Sequence, residues 1–162
     1  MKKINVTCIC PEAEEYPGCA DLLYSYCEMN VLAQAPSLDG AAAVNALLRS
    51  DVLLVDESVL LRDGLQAVHS VHTRFPQLNI VVVYKNKPKI SMIEYLSIGI
   101  RGLLEHKSRI SLLRRAVPAV YAGEVWMPRD VVKSLRIQSN INCGRSSWEF
   151  VSQTMPDQGK IN

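Results

Sequence analysis

Two apolar runs stand out along the chain, Val52-Leu53-Leu54-Val55 and Ile80-Val81-Val82-Val83. Neither alternates with polar residues, as a strand wetted on one face would. Their length and β-branched content fit strands buried on both faces. Strand and helix patterns alternate around them. Residues 4–10 read as a first strand, stopped by Pro11. A helical pattern over 13–29 follows, its start delayed by Pro17-Gly18. Next come a short strand at 30–35 and an Ala/Leu-rich helix at 38–49, with Ser37 or Asp39 as the cap. The third strand is 52–56, and a helix over 61–75 is closed by Pro76. The fourth strand is 79–84. A helix over 88–98 has proline in its first turn and Gly99 at its end. A short fifth strand at 102–105 leads to a helix at 108–122, capped by Ser108 and ended by Gly123. Pro118 interrupts that helix and removes a hydrogen bond from it. A short last helix covers 129–135. Five strands alternating with helices predict an α/β fold with a parallel sheet covered on both faces.

Composition changes at position 136. Ser, Asn, Gln and Gly dominate from there to Asn162, and periodicity fades. The expectation is one domain at 1–135, then a linker or tail at 136–162 that Trp148 and Phe150 could dock. That tail is too short for a helix-turn-helix. A net charge of +2 is too mild to imply nucleic-acid binding by charge alone. The apolar stretch after Met1-Lys2-Lys3 is short and ends at Pro11, so no signal peptide is expected. No run approaches the ~20 apolar residues of a membrane span. The five cysteines, Cys8, Cys10, Cys19, Cys27 and Cys143, show no paired zinc spacing. They read as reduced and mostly core, in a cytoplasmic protein.

Candidate chemistry gathers between Asp51 and Leu65. The buried strand ends on a carboxylate, Asp56, with Asp63-Gly64 beyond it. Open α/β sheets place reactive groups at the C-terminal ends of their parallel strands. Lys85, Lys87 and Lys89 form a basic loop at the same sheet edge, read either as an anion contact or as a solvated charge run. His69 and His72 stand three apart on a helix and read as exposed histidines rather than a metal pair. No metal ligand set and no catalytic residue is assigned.

The βα alternation, the Asp51–Asp56 spacing and Asp63-Gly64-Leu65 resemble a response-regulator receiver domain. Three further stretches are similar to the NarL/FixJ (LuxR-type) transcription regulators: Arg74-Phe75-Pro76, Gly99 to Leu104, and Tyr121 to Arg129. The resemblance covers about positions 1–135. It implies a flavodoxin-like (CheY-like), doubly wound five-stranded parallel sheet of order 2-1-3-4-5. It also implies a phosphoacceptor at Asp56, supplied by a histidine kinase. Its usual partners are replaced here. The acidic pair that would hold Mg²⁺ aligns with Cys10 and Pro11, so no cofactor is expected. The hydroxyl switch position holds Tyr84, and the aromatic of the fifth strand is Leu103. The fifth-strand lysine aligns with His106, with Lys107 beside it.

The resemblance therefore points to an atypical receiver that is not an enzyme. It would act by protein–protein contact within transcriptional control. A homodimer is expected through helix 108–122, which carries Arg109, Arg114 and Arg115. A histidine kinase or another regulator is a further partner, and DNA would be reached only through an output domain. Two alternatives stay open. One is a phosphorylatable receiver using Asp56. The other is a cyclic di-GMP sensor, because Trp126-Met127-Pro128-Arg129 is similar to the nucleotide-binding stretch of a biofilm-regulator branch. There Trp126 and Arg129 would hold guanine and phosphate.

Overall fold

Five strands pair in parallel: Ile4–Ile9 (β1), Met29–Ala35 (β2), Val52–Asp56 (β3), Asn79–Tyr84 (β4) and Ile100–Glu105 (β5). Their order, β2-β1-β3-β4-β5, is the expected one. The computed structural model describes residues 2–11, 28–106 and 110–133. Among these residues, four helices follow the strands on one face: Ala41–Leu47 (α1), Glu57–Asp63 (α2), Leu65–Arg74 (α3) and Met92–Ser97 (α4). Ile110–Tyr121 (α5) covers the other face.

The central strands are apolar throughout because each face meets its own core. Leu53, Val55, Ile80, Val82, Tyr84 and Leu103 pack with Val59, Leu60, Val68, Met92 and Tyr95 of the first helical layer. Val52, Leu54, Val81 and Val83 pack under α5, on Leu113, Ala116, Val117 and Val120. That spacing of three and four residues is the buried stripe of an amphipathic helix.

Several boundaries differ from expectation, each for a local reason. The helix expected over 61–75 is two helices, because Asp56 caps a helix that begins immediately after the strand. Gly64, at φ 84°, then separates α2 from α3. Asp63-Gly64 is thus a joint between helices, and Arg62 holds Asp63 through Nε to Oδ1 at 2.6 Å. The Arg62 guanidinium keeps the Asp63 carboxyl below its usual range. The helix expected over 88–98 starts only at Met92. Ser91 and Glu94 close a reciprocal capping box that outcompetes Pro88 as the start. Neither Ser37 nor Asp39 caps α1, whose N-cap is Gly40 with no side-chain bond. Met29 opens β2 instead of ending a helix, and β5 starts at Ile100, two residues early. The rest of the expected helix over 13–29 lies outside the described residues. So do Ser108, Arg109, residues 134–162 and three cysteines: Cys19, Cys27 and Cys143. Residues 129–133 are helical, and the expected last two residues of that helix fall beyond the described part.

The outer edge of β5 is covered by residue 126. The Trp126 amide donates to Arg101 O at 2.9 Å, and its carbonyl accepts from Leu103 N at 2.8 Å. Such pairing blunts an edge open to other strands. Trp126 packs in the α5-side core while Met127 enters the opposite one, so the chain crosses the sheet edge here.

Gly99 closes α4 at φ 91°, and a Cβ placed on it would lie 2.5 Å from the His72 ring. Gly99→Ala is expected to cost about 2 kcal/mol from backbone strain and the ring clash. Urea unfolding measures it, and His72→Ala in the same chain should recover only the steric part.

Candidate functional site

The C-terminal ends of β1, β3, β4 and β5 meet at one sheet edge. The Asp56 carboxylate stands there, half-buried, where β3 becomes α2. Its Oδ1 accepts from the Ser58 amide at 2.8 Å and also from the Ser58 hydroxyl. This is an N-cap: the side chain satisfies a donor that the first helical turn leaves open. Asp51, five residues earlier, belongs to the opposite edge. Its Oδ2 accepts from the Asn5 amide at 2.9 Å and ties β3 to β1. The Asp51–Asp56 spacing measures a strand's length and does not make a pair of site acids.

Glu57 was not visible as a site residue in the sequence. It is only 5% exposed, yet it is a carboxylate on the first turn of α2. Its Oε1 accepts from the Tyr95 hydroxyl at 2.6 Å and from the Lys89 amide at 2.6 Å. Tyr95 is fully buried on α4, and burial together with the Glu57 carboxylate pushes its hydroxyl far above its ordinary range. Three elements are joined by this one oxygen: α2, the β4–α4 loop and α4. A polar residue breaking the apolar pattern beside Asp56 was the available signal. Its partner lies 38 residues away, and spacing does not reveal that.

Lys85, Asn86, Lys87 and Lys89 face Asp56, Glu57, Ser58 and Leu61 across an open cleft of about 250 Å³. The basic loop thus shares a cavity with Asp56. Tyr84 belongs to the core with Leu103, not to the wall of this cleft, so the two switch positions are packed side chains. Burial, followed by the charges of Glu105, Asp130 and Glu57, raises the Tyr84 hydroxyl to about 12. The Tyr84 carbonyl accepts from the His106 amide at 2.6 Å, which extends the β4–β5 pairing by one residue. Lys107 lies outside the described residues.

Cys10 follows β1, buried, and its sulfur accepts from the Gln34 side chain at 3.2 Å. Pro11 is exposed and offers no side-chain donor atom. A thiol already engaged and a proline do not fit Mg²⁺, which needs several oxygens in near-ideal octahedral positions. Among the described residues, Glu57 is turned away toward Tyr95, and Asp56 is the remaining acid of the cleft. Trp126 is 4% exposed and packed under α5, whereas Arg129 is exposed. Stacking on a guanine requires an open ring face. His72, expected on the surface, is half-buried with its ring against Gly99, while His69 is exposed.

No family model and no curated protein matches the chain. Solved structures do. The isolated receiver domain of RcsB from Salmonella enterica serovar Typhimurium, in the presence of the phosphomimetic BeF3⁻, is 23% identical. The match covers 82% of this chain and 98% of that one, with a TM-score of 0.62. The signal receiver domain of the putative response regulator NarL from Mycobacterium tuberculosis is 23% identical over 76% of this chain and all of that one, at 0.61. The fold is that of a response-regulator receiver domain. The RcsB response regulator of Salmonella typhimurium, in a structure concerned with DNA interaction, is 22% identical. There the receiver-like chain spans 68% of the regulator and 84% of its own length, at 0.64.

Removing either buried hydroxyl has a measurable consequence. Tyr95→Phe leaves the Glu57 oxygen short of one donor and is expected to cost about 1–3 kcal/mol, read by urea unfolding at neutral pH. Tyr84 has its hydroxyl raised from 10.0 to about 12, so the folded state holds that proton more tightly than the unfolded chain. Its contribution is complete below pH 10 and lost as pH climbs to about 12. Tyr84→Phe should shallow the alkaline fall of the unfolding midpoint across that window.

Proposed function

We propose that this chain is the receiver domain of a NarL/FixJ-type transcriptional response regulator that works by protein–protein contact and dimerisation, without conventional phosphorylation of Asp56. The observation that supports it is the setting of Asp56. Phosphoryl transfer to a carboxylate draws most of its catalysis from offsetting negative charge. The positions that would hold a divalent cation are a thiol bonded to Gln34 and a proline. The position that would report the phosphoryl group is a buried phenol rather than a small, free hydroxyl. Asp56 itself is employed as a helix cap.

Contact surfaces are what such a domain keeps. Helix α5 buries one stripe and exposes Arg114, Arg115 and Tyr121 on its outer side. The resemblance assigns pairing to this helix and its neighbours. The resemblance implies that DNA would be reached only through an output domain, and the similar RcsB regulator is described in connection with DNA interaction. A histidine kinase or another regulator is the second kind of partner, and the cytoplasm is the expected setting. Among the described residues no helix is long and apolar enough to cross a membrane.

Intact-mass measurement after incubation with a small phosphodonor and Mg²⁺ tests the central claim. The expected spectrum shows the unmodified chain. A stoichiometric phosphoryl adduct that disappears in Asp56→Asn overturns it. Light scattering should return the mass of a dimer, and a monomer at high concentration would remove the dimer from the proposal.

A further inference from the structure

Aspartate precedes glycine twice in the chain, at Asp39-Gly40 and at Asp63-Gly64. Glycine has no Cβ to shield its amide nitrogen, which can therefore reach the carboxyl carbon of the preceding aspartate. The reaction needs an amide not held by a hydrogen bond and a backbone free to bring the two atoms together. At Asp63-Gly64 neither condition is met. The Gly64 amide donates to Leu60 O at 2.9 Å and closes the last turn of α2. Asp63 is itself helical, and Arg62 Nε and Nη2 hold its carboxylate at 2.6 and 3.1 Å. Ring closure expels water most readily from the un-ionised acid, and Arg62 holds this carboxyl below its usual range. Asp39-Gly40 is the opposite case. Asp39 is exposed in a bend between β2 and α1, and its side chain caps nothing. Gly40 precedes the first helical turn with φ −61° and ψ 136°. Among the described residues no hydrogen bond engages its amide. Only Ser37 O and Oγ, each at 3.9 Å, approach the place a Cβ would take on Gly40.

We propose that Asp39-Gly40 is a modification site of the folded chain, where aspartate rearranges to an isoaspartyl linkage that serves as methyl acceptor for an S-adenosylmethionine-dependent O-methyltransferase, while α2 protects Asp63-Gly64. The Gly40 nitrogen bonds to Asp39 Cγ. The Cγ–OH bond breaks, and the hydroxyl leaves with the amide proton as water. A second water opens the cyclic imide at either carbonyl. Attack at Cγ restores aspartate. Attack at the main-chain carbonyl leaves the chain running through Cγ, with the α-carboxylate free. An oxygen of that carboxylate takes the methyl group from the sulfonium, and S-adenosylhomocysteine is released. The added backbone carbon falls between α1 and a loop already tied to α2, since Arg62 Nη2 donates to Pro36 O at 2.8 Å.

The test keeps the full chain at neutral pH in water enriched in heavy oxygen, once folded and once in urea. Each ring opening leaves one heavy oxygen in the product, and peptide mass spectrometry locates it. In the folded chain the label is expected at Asp39 and not at Asp63. In urea both positions should take it up, because α2 no longer holds the Gly64 amide. Gly40→Ala should slow labelling at Asp39 roughly tenfold by shielding the nitrogen. The backbone there suits alanine, since φ is negative and the Cβ position is open. Asp39→Glu keeps the charge and should abolish the reaction, because the longer side chain would have to close a larger ring. Methyl incorporation by a purified isoaspartyl O-methyltransferase should fall in both variants. Equal labelling of Asp39 and Asp63 in the folded chain overturns the proposal. So does labelling of Asp39 in urea alone, or methyl incorporation undiminished by Asp39→Glu.

Discussion

The sheet edge is organised around one buried carboxylate oxygen. Glu57 Oε1 receives the Tyr95 hydroxyl and the Lys89 amide, and through them α2, the β4–α4 loop and α4 are held in one arrangement. A charge moved out of water is costly unless strong donors replace the lost hydration. Both donors here lie at 2.6 Å. Because the penalty for losing either donor falls on a buried anion, the three elements cannot separate independently. The Lys89 end of the lysine loop is thereby held against α2, beside Asp56.

This arrangement explains what the sequence did and did not reveal. The strands were legible because two-sided burial leaves an apolar run whatever the details of packing. Residues 52–55 and 80–83 carry that imprint directly, and the sheet order followed from the resemblance. Helix starts were less legible because they depend on which cap wins. At α4, Ser91 and Glu94 satisfy each other's backbone and override the proline at 88. At α2, the cap is Asp56 itself, so strand and helix share a residue and the expected loop between them does not exist. The Glu57–Tyr95 contact was out of reach for a different reason. It joins residues far apart in sequence whose types, taken alone, fit an exposed acid and a core aromatic.

The candidate site divides in the same way. Positions set by strand ends, such as Asp56 and Cys10, could be placed from the pattern. Side-chain roles could not. Tyr84 and Leu103 both occupy the core, and Trp126 serves the sheet edge with its backbone and the α5-side core with its ring. The basic loop read first as a solvated charge run, and only the fold sets it across a cleft from Asp56 and Ser58.

Asp56 has a structural reason to persist in this fold. A strand that turns directly into a helix leaves amides of the first helical turn without intrahelical acceptors. Aspartate is among the best residues to satisfy one, and replacing such a cap typically costs about 1 kcal/mol. The Ser58 amide and hydroxyl both use that oxygen. An acid at the end of the third strand is therefore selected by the strand-to-helix turn alone, before any chemistry is asked of it. Its presence marks the turn, and its neighbours decide whether the turn is also a reaction site. Here those neighbours are a bonded thiol, a proline and a buried phenol, with three lysines across the cleft. Among the described residues, that setting brings together no set of side chains that could hold a metal beside Asp56.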